Sequence, residues 1–160
     1  MPVVIDGNNL LHAARTAETS TLLIGRSMLC DAIGRWAQRR NERVHMVFDG
    51  PAPPPPLAGQ IGHPAIQVTY SGTGTSADSV LTEILETDSA ARRLLVVSSD
   101  HEIVRAARRR RARSMGSEEF WRQVHRDLSR PPRVRVEPKE KEAGLRPDDV
   151  QRWLDEFGLR

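Results

Sequence analysis

Val3-Val4-Ile5-Asp6-Gly7 is a short β-branched run that stops on a carboxylate and a glycine. The phrase returns as Met46-Val47-Phe48-Asp49-Gly50 and, in longer form, as Leu94-Leu95-Val96-Val97-Ser98-Ser99-Asp100. Apolar runs of this kind, bounded by Gly, Asp and Ser, read as strands. Segments with helical periodicity lie between them. Strands alternating with helices imply right-handed βαβ units and an α/β fold: a three-layer sandwich around a central, mainly parallel sheet of four to five strands. In an open sheet of this type the carboxyl ends of the strands line one crevice, and ligands bind there. The aspartates are written where that crevice should be.

Working outward from these runs, residues 3–6 form the first strand. Residues 21–40 are expected to be a helix, with Leu22, Leu29, Ile33 and Trp36 at helical spacing. Strands follow at 44–49 and 66–70, separated by a proline-rich excursion from Gly50 that can join neither a sheet ladder nor a helix interior. Residues 71–76 read as a flexible loop feeding a helix over 77–87. The run 94–98 is the most apolar strand, hence central. A helix over 101–111, a short edge strand at 113–115 and a helix N-capped by Ser117 complete a domain spanning residues 1–130. Residues 131–160 read as a charged linker and an amphipathic helix with a Val150, Trp153, Leu154, Phe157 stripe, started by Pro147 and closed by Gly158.

The bulk composition narrows the class. A chain of 160 residues can bury one core. It contains no apolar run near the roughly 20 residues that span a bilayer, and its start lacks the pattern of a signal peptide. A cytoplasmic location is expected. Cys30 is alone, which removes disulfides and cysteine-based zinc sites and leaves a core thiol. The five histidines show no zinc spacing, and neither a P-loop nor a dinucleotide fingerprint is present, so no nucleotide cofactor is expected. The formal charge is only +3, but 22 of the 24 cationic residues are arginine. Eleven of them fall between Arg105 and Arg135 against three acids. Such a block points to an anionic polymer, although solvated helix faces account for it equally well.

The chemistry rests on Asp6, Asp49, Asp78 and Asp100. Carboxylates about 4 Å apart repel by about 4 kcal/mol per pair at an effective dielectric near 20. A cluster of them is protonated, solvated or bridged by cations. An oxygen-only ligand set suits Mg²⁺ or Mn²⁺. Each aspartate also has an ordinary reading. Asp6-Gly7 and Asp49-Gly50 occur in turns; Thr75-x-x-Asp78 and Ser99-x-x-Glu102 have capping-box spacing, and Asp100 can cap the helix that follows it. Gly72-Thr73-Gly74 can form a phosphate nest or a disordered loop, and the latter is the expectation. Asn9 can bond the Asp6 carboxylate or a phosphate oxygen, and Ser98 can orient Asp100.

Taken together, Ile5-Asp6-Gly7-Asn8-Asn9-Leu10, Val47-Phe48-Asp49, Ser76-Ala77-Asp78, Val97-Ser98-Ser99-Asp100 and Ser117-Glu118-Glu119-Phe120 resemble the YacP-like branch of the NYN domains, within the PIN-like nuclease superfamily. The likeness runs over roughly residues 3–128, and Arg26 resembles an arginine common at that point in the family. The resemblance implies a PIN-like sandwich with a divalent-metal ribonuclease site at its carboxyl edge. Asp6, Asp49, Asp78 and Asp100 would fill the acidic positions, with Asp6, Asp78 and Asp100 on the metal. Asn9, Ser98, Ser99 and Arg26 would position substrate. The expected function is an endoribonuclease using Mg²⁺ or Mn²⁺. Arg105, Arg108, Arg109 and Arg110 would track the RNA backbone, and the ribosome is an expected partner. Two departures stand out: Asn8 replaces an aromatic residue, and Thr82 stands where some members carry a helical Glu. The alternatives are a non-catalytic RNA- or ribosome-binding module and a structure-specific DNA nuclease.

Overall fold

The computed structural model describes residues 1–17, 24–55, 57 and 61–131. Its strands are β1 (Val3–Asp6), β2 (Val44–Phe48), β3 (Ile66–Tyr70), β4 (Leu95–Val97) and β5 (Arg113–Met115). Its helices are α1 (Gly7–Ala17), α2 (Arg26–Arg40), α3 (Ala77–Thr87), α4 (His101–Arg109) and α5 (Ser117–Ser129), with a 3₁₀ turn over Ala91–Arg93. The sheet order is β3-β2-β1-β4-β5, and every pairing is parallel. Strand order therefore reverses between β1 and β4, which makes that gap the switch point where ligands of open α/β sheets bind. Ile5 pairs with both Met46 and Val97, so β1, β2 and β4 end level with one another.

Strand alternation divides the core into two layers. Val3, Ile5, Val44, Met46, Phe48, Leu95 and Val97 face α1, α2 and α5 through Leu10, Leu29, Ile33, Trp36, Phe120 and Val124. Val4, Val47 and Val96 face α3 and α4 through Leu81, Leu85, Ile103 and Ala107. The three-layer sandwich and the parallel sheet are as expected, and β5 is the edge strand anticipated at 113–115. Cys30 is a buried core thiol whose pKa burial pushes up to about 11.

The local corrections have identifiable causes. Helix α1 is missing from the sequence reading, because Gly7-Asn8-Asn9 are poor interior helix formers. They sit instead in a first turn, where the Asp6 carboxylate accepts from the Asn9 backbone N–H at 3.0 Å. Leu10, Leu11, Ala13 and Ala14 supply the buried stripe that drives the helix. Helix α2 begins at Arg26, with Gly25 as its N-cap, later than expected. The expected capping boxes shift by one residue. Ser76, not Thr75, caps α3; of the two caps read for α4, Asp100 rather than Ser99 is the one formed; and Gly116 precedes an α5 whose Ser117 is buried. The glycine loop is pinned rather than loose: Gly72 bridges Gly50, and both hold left-handed φ values of 85° and 87°. The C-terminal linker and helix lie outside the described residues.

Gly7 is needed for space rather than for a turn, because a Cβ there would lie 2.6 Å from the Phe48 ring. Gly7→Ala is expected to cost about 1–3 kcal/mol of stability, as overpacked core sites do. Chemical denaturation measures it. A cost below about 0.5 kcal/mol would show that the ring moves aside freely.

Candidate active site

The level strand ends place the carboxylates. Asp6, the last residue of β1, is 3 % exposed. Its Oδ1 accepts from the Asn9 backbone N–H, and its Oδ2 accepts from Asn9 Nδ2 at 2.8 Å and from the Ser98 hydroxyl at 3.1 Å. That hydroxyl in turn accepts from the Asp100 backbone N–H at 3.0 Å. Ser98 therefore ties the two strands together across the switch point. Asp100 accepts from the N–H groups of Glu102 and Ile103, so it caps α4 while standing at the carboxyl edge.

Asp49 follows β2 and joins two helix starts. Its Oδ1 accepts from the Ala77 N–H at 2.6 Å and its Oδ2 from Asn8 Nδ2 at 2.9 Å. Asn8, singled out from sequence only as a departure from an aromatic residue, is thus the side chain that fixes Asp49. Asp78 lies in the first turn of α3 and has no hydrogen-bond partner among the described residues. Partial burial raises its pKa, and the charges of Asp6, Asp100, Asp49 and Glu102 raise it further, in that order. The charges of the other three aspartates therefore reach Asp78, as does that of Glu102, which the sequence reading passed over. Among the described residues no Lys, Arg or His forms an ion pair with any of the four.

The remaining expected residues divide. Arg26 reaches the crevice edge, with its guanidinium 5.1 Å from the Phe48 ring centroid and 3.5 Å from the Asp49 carbonyl oxygen. Ser99 is exposed beside Asp100, and its hydroxyl accepts from the Ser117 N–H, which joins α5 to the β4 end. Arg108, Arg109 and Arg110 stand apart from the crevice. α4 runs from the carboxyl edge back to the amino edge, and these residues close its far end. The Arg110 guanidinium is held by the carbonyls of Leu85 and Asp88. Arg105 is exposed, a little over a turn from Asp100.

The donor set is acidic and all oxygen, and among the described residues no cationic side chain is paired with it. Among the described residues, however, no three acidic, histidine or cysteine side chains close a cage around one point. Asp6, Asp78 and Asp100 were expected to share an ion. Asp6 is held at the crevice floor by Asn9 and Ser98, while one Asp100 oxygen is occupied as a helix cap. The arrangement fits a hydrated Mg²⁺ or Mn²⁺, which is ordinarily bound through one or two carboxylates and several waters.

The profile of the YacP-like NYN domain matches residues 3–154. The chain belongs to the YacP-like NYN domain family. This is a family of nuclease-like domains. Two crystal structures of Rae1 (YacP) from Bacillus subtilis share its fold. The W164L mutant superposes with a TM-score of 0.62 at 18% identity, covering 79% of this chain and 76% of that one. The other structure gives 0.60 at 16% identity, over 99% and 84% of the two chains. No curated protein matches the chain in sequence. Among the described residues of this NYN domain, no helix is long and apolar enough to cross a membrane.

The Asp78 shift sets a pH dependence. A raised carboxyl pKa means that the folded state binds the proton more tightly than the unfolded chain. Stability is then fullest below the ordinary aspartate pKa and is lost as pH rises through the folded value. Asp78 is exposed, so water screens the repulsion and the effect is small. Asp78→Asn is expected to melt higher than the parent at pH 7, and this gain should vanish near pH 3. Thermal melts at the two pH values check it; a gain of equal size at both would refute the electrostatic cause.

Proposed function

We propose that the chain is a divalent-metal-dependent endoribonuclease that hydrolyses RNA phosphodiester bonds. The observation that supports this most is the gathering of carboxylates around Asp78 at the carboxyl edge of the sheet, where among the described residues no cationic side chain forms an ion pair with Asp6, Asp49, Asp78 or Asp100. Bound Mg²⁺ or Mn²⁺ would polarise the scissile phosphate and lower the pKa of a water. Asp100 and Asp78, with carboxylate oxygens free of hydrogen-bond partners among the described residues, are the proposed principal holders of the ion, and Asp6 is the carboxylate beneath them. Asn9 and Ser98 orient Asp6, and Asn8 orients Asp49. Arg26, stacked on Phe48, is the proposed contact to a substrate phosphate.

Base stacking by the described residues is expected to add little sequence preference. Phe48, Phe120, Trp36 and Trp121 are all buried. Choice of target would fall to a partner in the cytoplasm such as the ribosome. A second reading, an RNA-binding module that cleaves little, draws support from Thr82 at the position of the helical Glu and from the absence of a closed ligand cage among the described residues.

Incubation with labelled RNA and DNA in Mn²⁺ separates these readings. RNA is expected to be cut, cutting should stop in EDTA, and Asp100→Asn should lower the rate at least about a hundredfold. Asparagine is also a good N-cap, so α4 survives the change. RNA bound but left intact would select the module, and preference for flap or nicked DNA would select a DNA nuclease.

A further inference from the structure

A cleft of about 570 Å³ opens at the amino edge of the sheet, between the 3₁₀ turn and the end of α4. Arg92, Arg93, Arg109, Arg110 and Arg111 line it, with Ser89 to Ala91 forming the wall. All five arginines are exposed. Only Arg110 is engaged, with the Leu85 and Asp88 carbonyls. Among the described residues Arg92, Arg93, Arg109 and Arg111 have neither an ion pair nor a hydrogen bond through the guanidinium. The carboxylate of Asp88, next to the wall, accepts from the Ala90 N–H and pairs with none of these arginines. The cleft thus concentrates five guanidinium groups that form no ion pair among the described residues.

Helix capping does not account for it. Cations near a helix C-terminus complement its dipole, and Arg108 and Arg109 meet that need for α4. Arg92 and Arg93 belong to a different element, yet point their charge into the same space. Arg111 is harder still to explain by stability. It holds a left-handed φ of 59°, and the Arg111 N–H to Arg108 carbonyl and Ala112 N–H to Ala107 carbonyl bonds make it the left-handed residue of a Schellman motif. Glycine or asparagine is the ordinary occupant of that position. An arginine kept in a costly conformation at the rim of an arginine cleft points to a use for its guanidinium.

We infer that this cleft is a second RNA site, which holds backbone phosphates of the substrate at the opposite edge of the domain from the crevice. The inference rests on RNA being the substrate. Guanidinium forks match phosphate oxygens two at a time, and several forks from two elements can grip successive phosphates of one strand or both sides of a groove. The nine residues of α4 separate cleft from crevice by about 14 Å at ~1.5 Å per residue. An RNA reaching both must extend along the α3–α4 side of the domain. The anchor would favour folded or long RNA over short fragments.

The test is equilibrium binding of a labelled RNA hairpin in EDTA, read by fluorescence anisotropy as salt is varied. Arg92→Gln with Arg93→Gln is expected to weaken binding about tenfold at 0.1 M salt and to lower the salt slope by one to two, roughly 0.7–0.9 per lost phosphate contact. Arg111→Gly should weaken it in the same sense while leaving the melting temperature unchanged or higher. The charge-matched control, Arg122→Gln with Arg126→Gln on α5, should change affinity less than about twofold. Unchanged affinity in the cleft variants, or equal loss in the control, overturns the proposal, as does a cleft that binds a protein partner but not RNA. Because EDTA removes cleavage from the measurement, the two readings fail separately. Cleft-dependent binding without cutting in Mn²⁺ supports the anchor and ends the nuclease reading; cutting with no cleft-dependent binding does the reverse.

Discussion

The level ending of β1, β2 and β4 is the constraint from which the rest of the molecule follows. Parallel pairing of Ile5 with both Met46 and Val97 brings Asp6 and Ser98 to the same height. The turns that follow β2 and β4 then have nowhere to put Asp49 and Asp100 except around the same opening. Like charges in such an arrangement oppose folding. The structure offsets this with directed hydrogen bonds: Asn9 and Ser98 to Asp6, Asn8 and the Ala77 N–H to Asp49, the first turn of α4 to Asp100. Asp78, with no such partner among the described residues, carries the raised pKa. Repulsion that hydrogen bonds do not remove is available to a cation.

The same topology gives the domain two electrical ends. Each helix that follows a strand starts at the carboxyl edge and returns to the amino edge, so acidic first turns gather on one side and basic last turns on the other. Asp78 and Glu102 open α3 and α4, whereas Arg108 and Arg109 close α4. For an enzyme acting on a polyanion this polarity is useful. The acidic crevice alone would repel RNA, and attraction has to come from Arg26 at its rim and from arginines farther away.

Much of this was legible in the sequence because the signals were local and repeated. β-branched runs ending in carboxylates located β1, β2 and β4, and helical periodicity located α3 to the residue. Asp6, Asp49, Asp78 and Asp100 were readable as a set because topology, not contact, decides where strand ends meet. What failed was information held in three dimensions. Helix α1 is specified by a cap from the preceding strand and by burial of Leu10 and Leu11, and Gly7 is demanded by the Phe48 ring. Asn8 looked like a loss of an aromatic residue until its bond to Asp49 gave it a role. The arginine run was read as one RNA-tracking strip. Its layout was the missing part: the direction of α4 carries Arg108 to Arg110 to the amino edge, where the Arg110 guanidinium also donates to the carbonyls at the end of α3.

A carboxylate crevice of this kind should bind a doubly charged ion before any RNA arrives. Calorimetric titration of Mn²⁺ into the RNA-free protein at low ionic strength addresses this without any assumption about substrate. Saturable binding that weakens at least about tenfold in Asp100→Asn is the predicted result. Absence of saturable binding, or equal affinity in parent and variant, would contradict it.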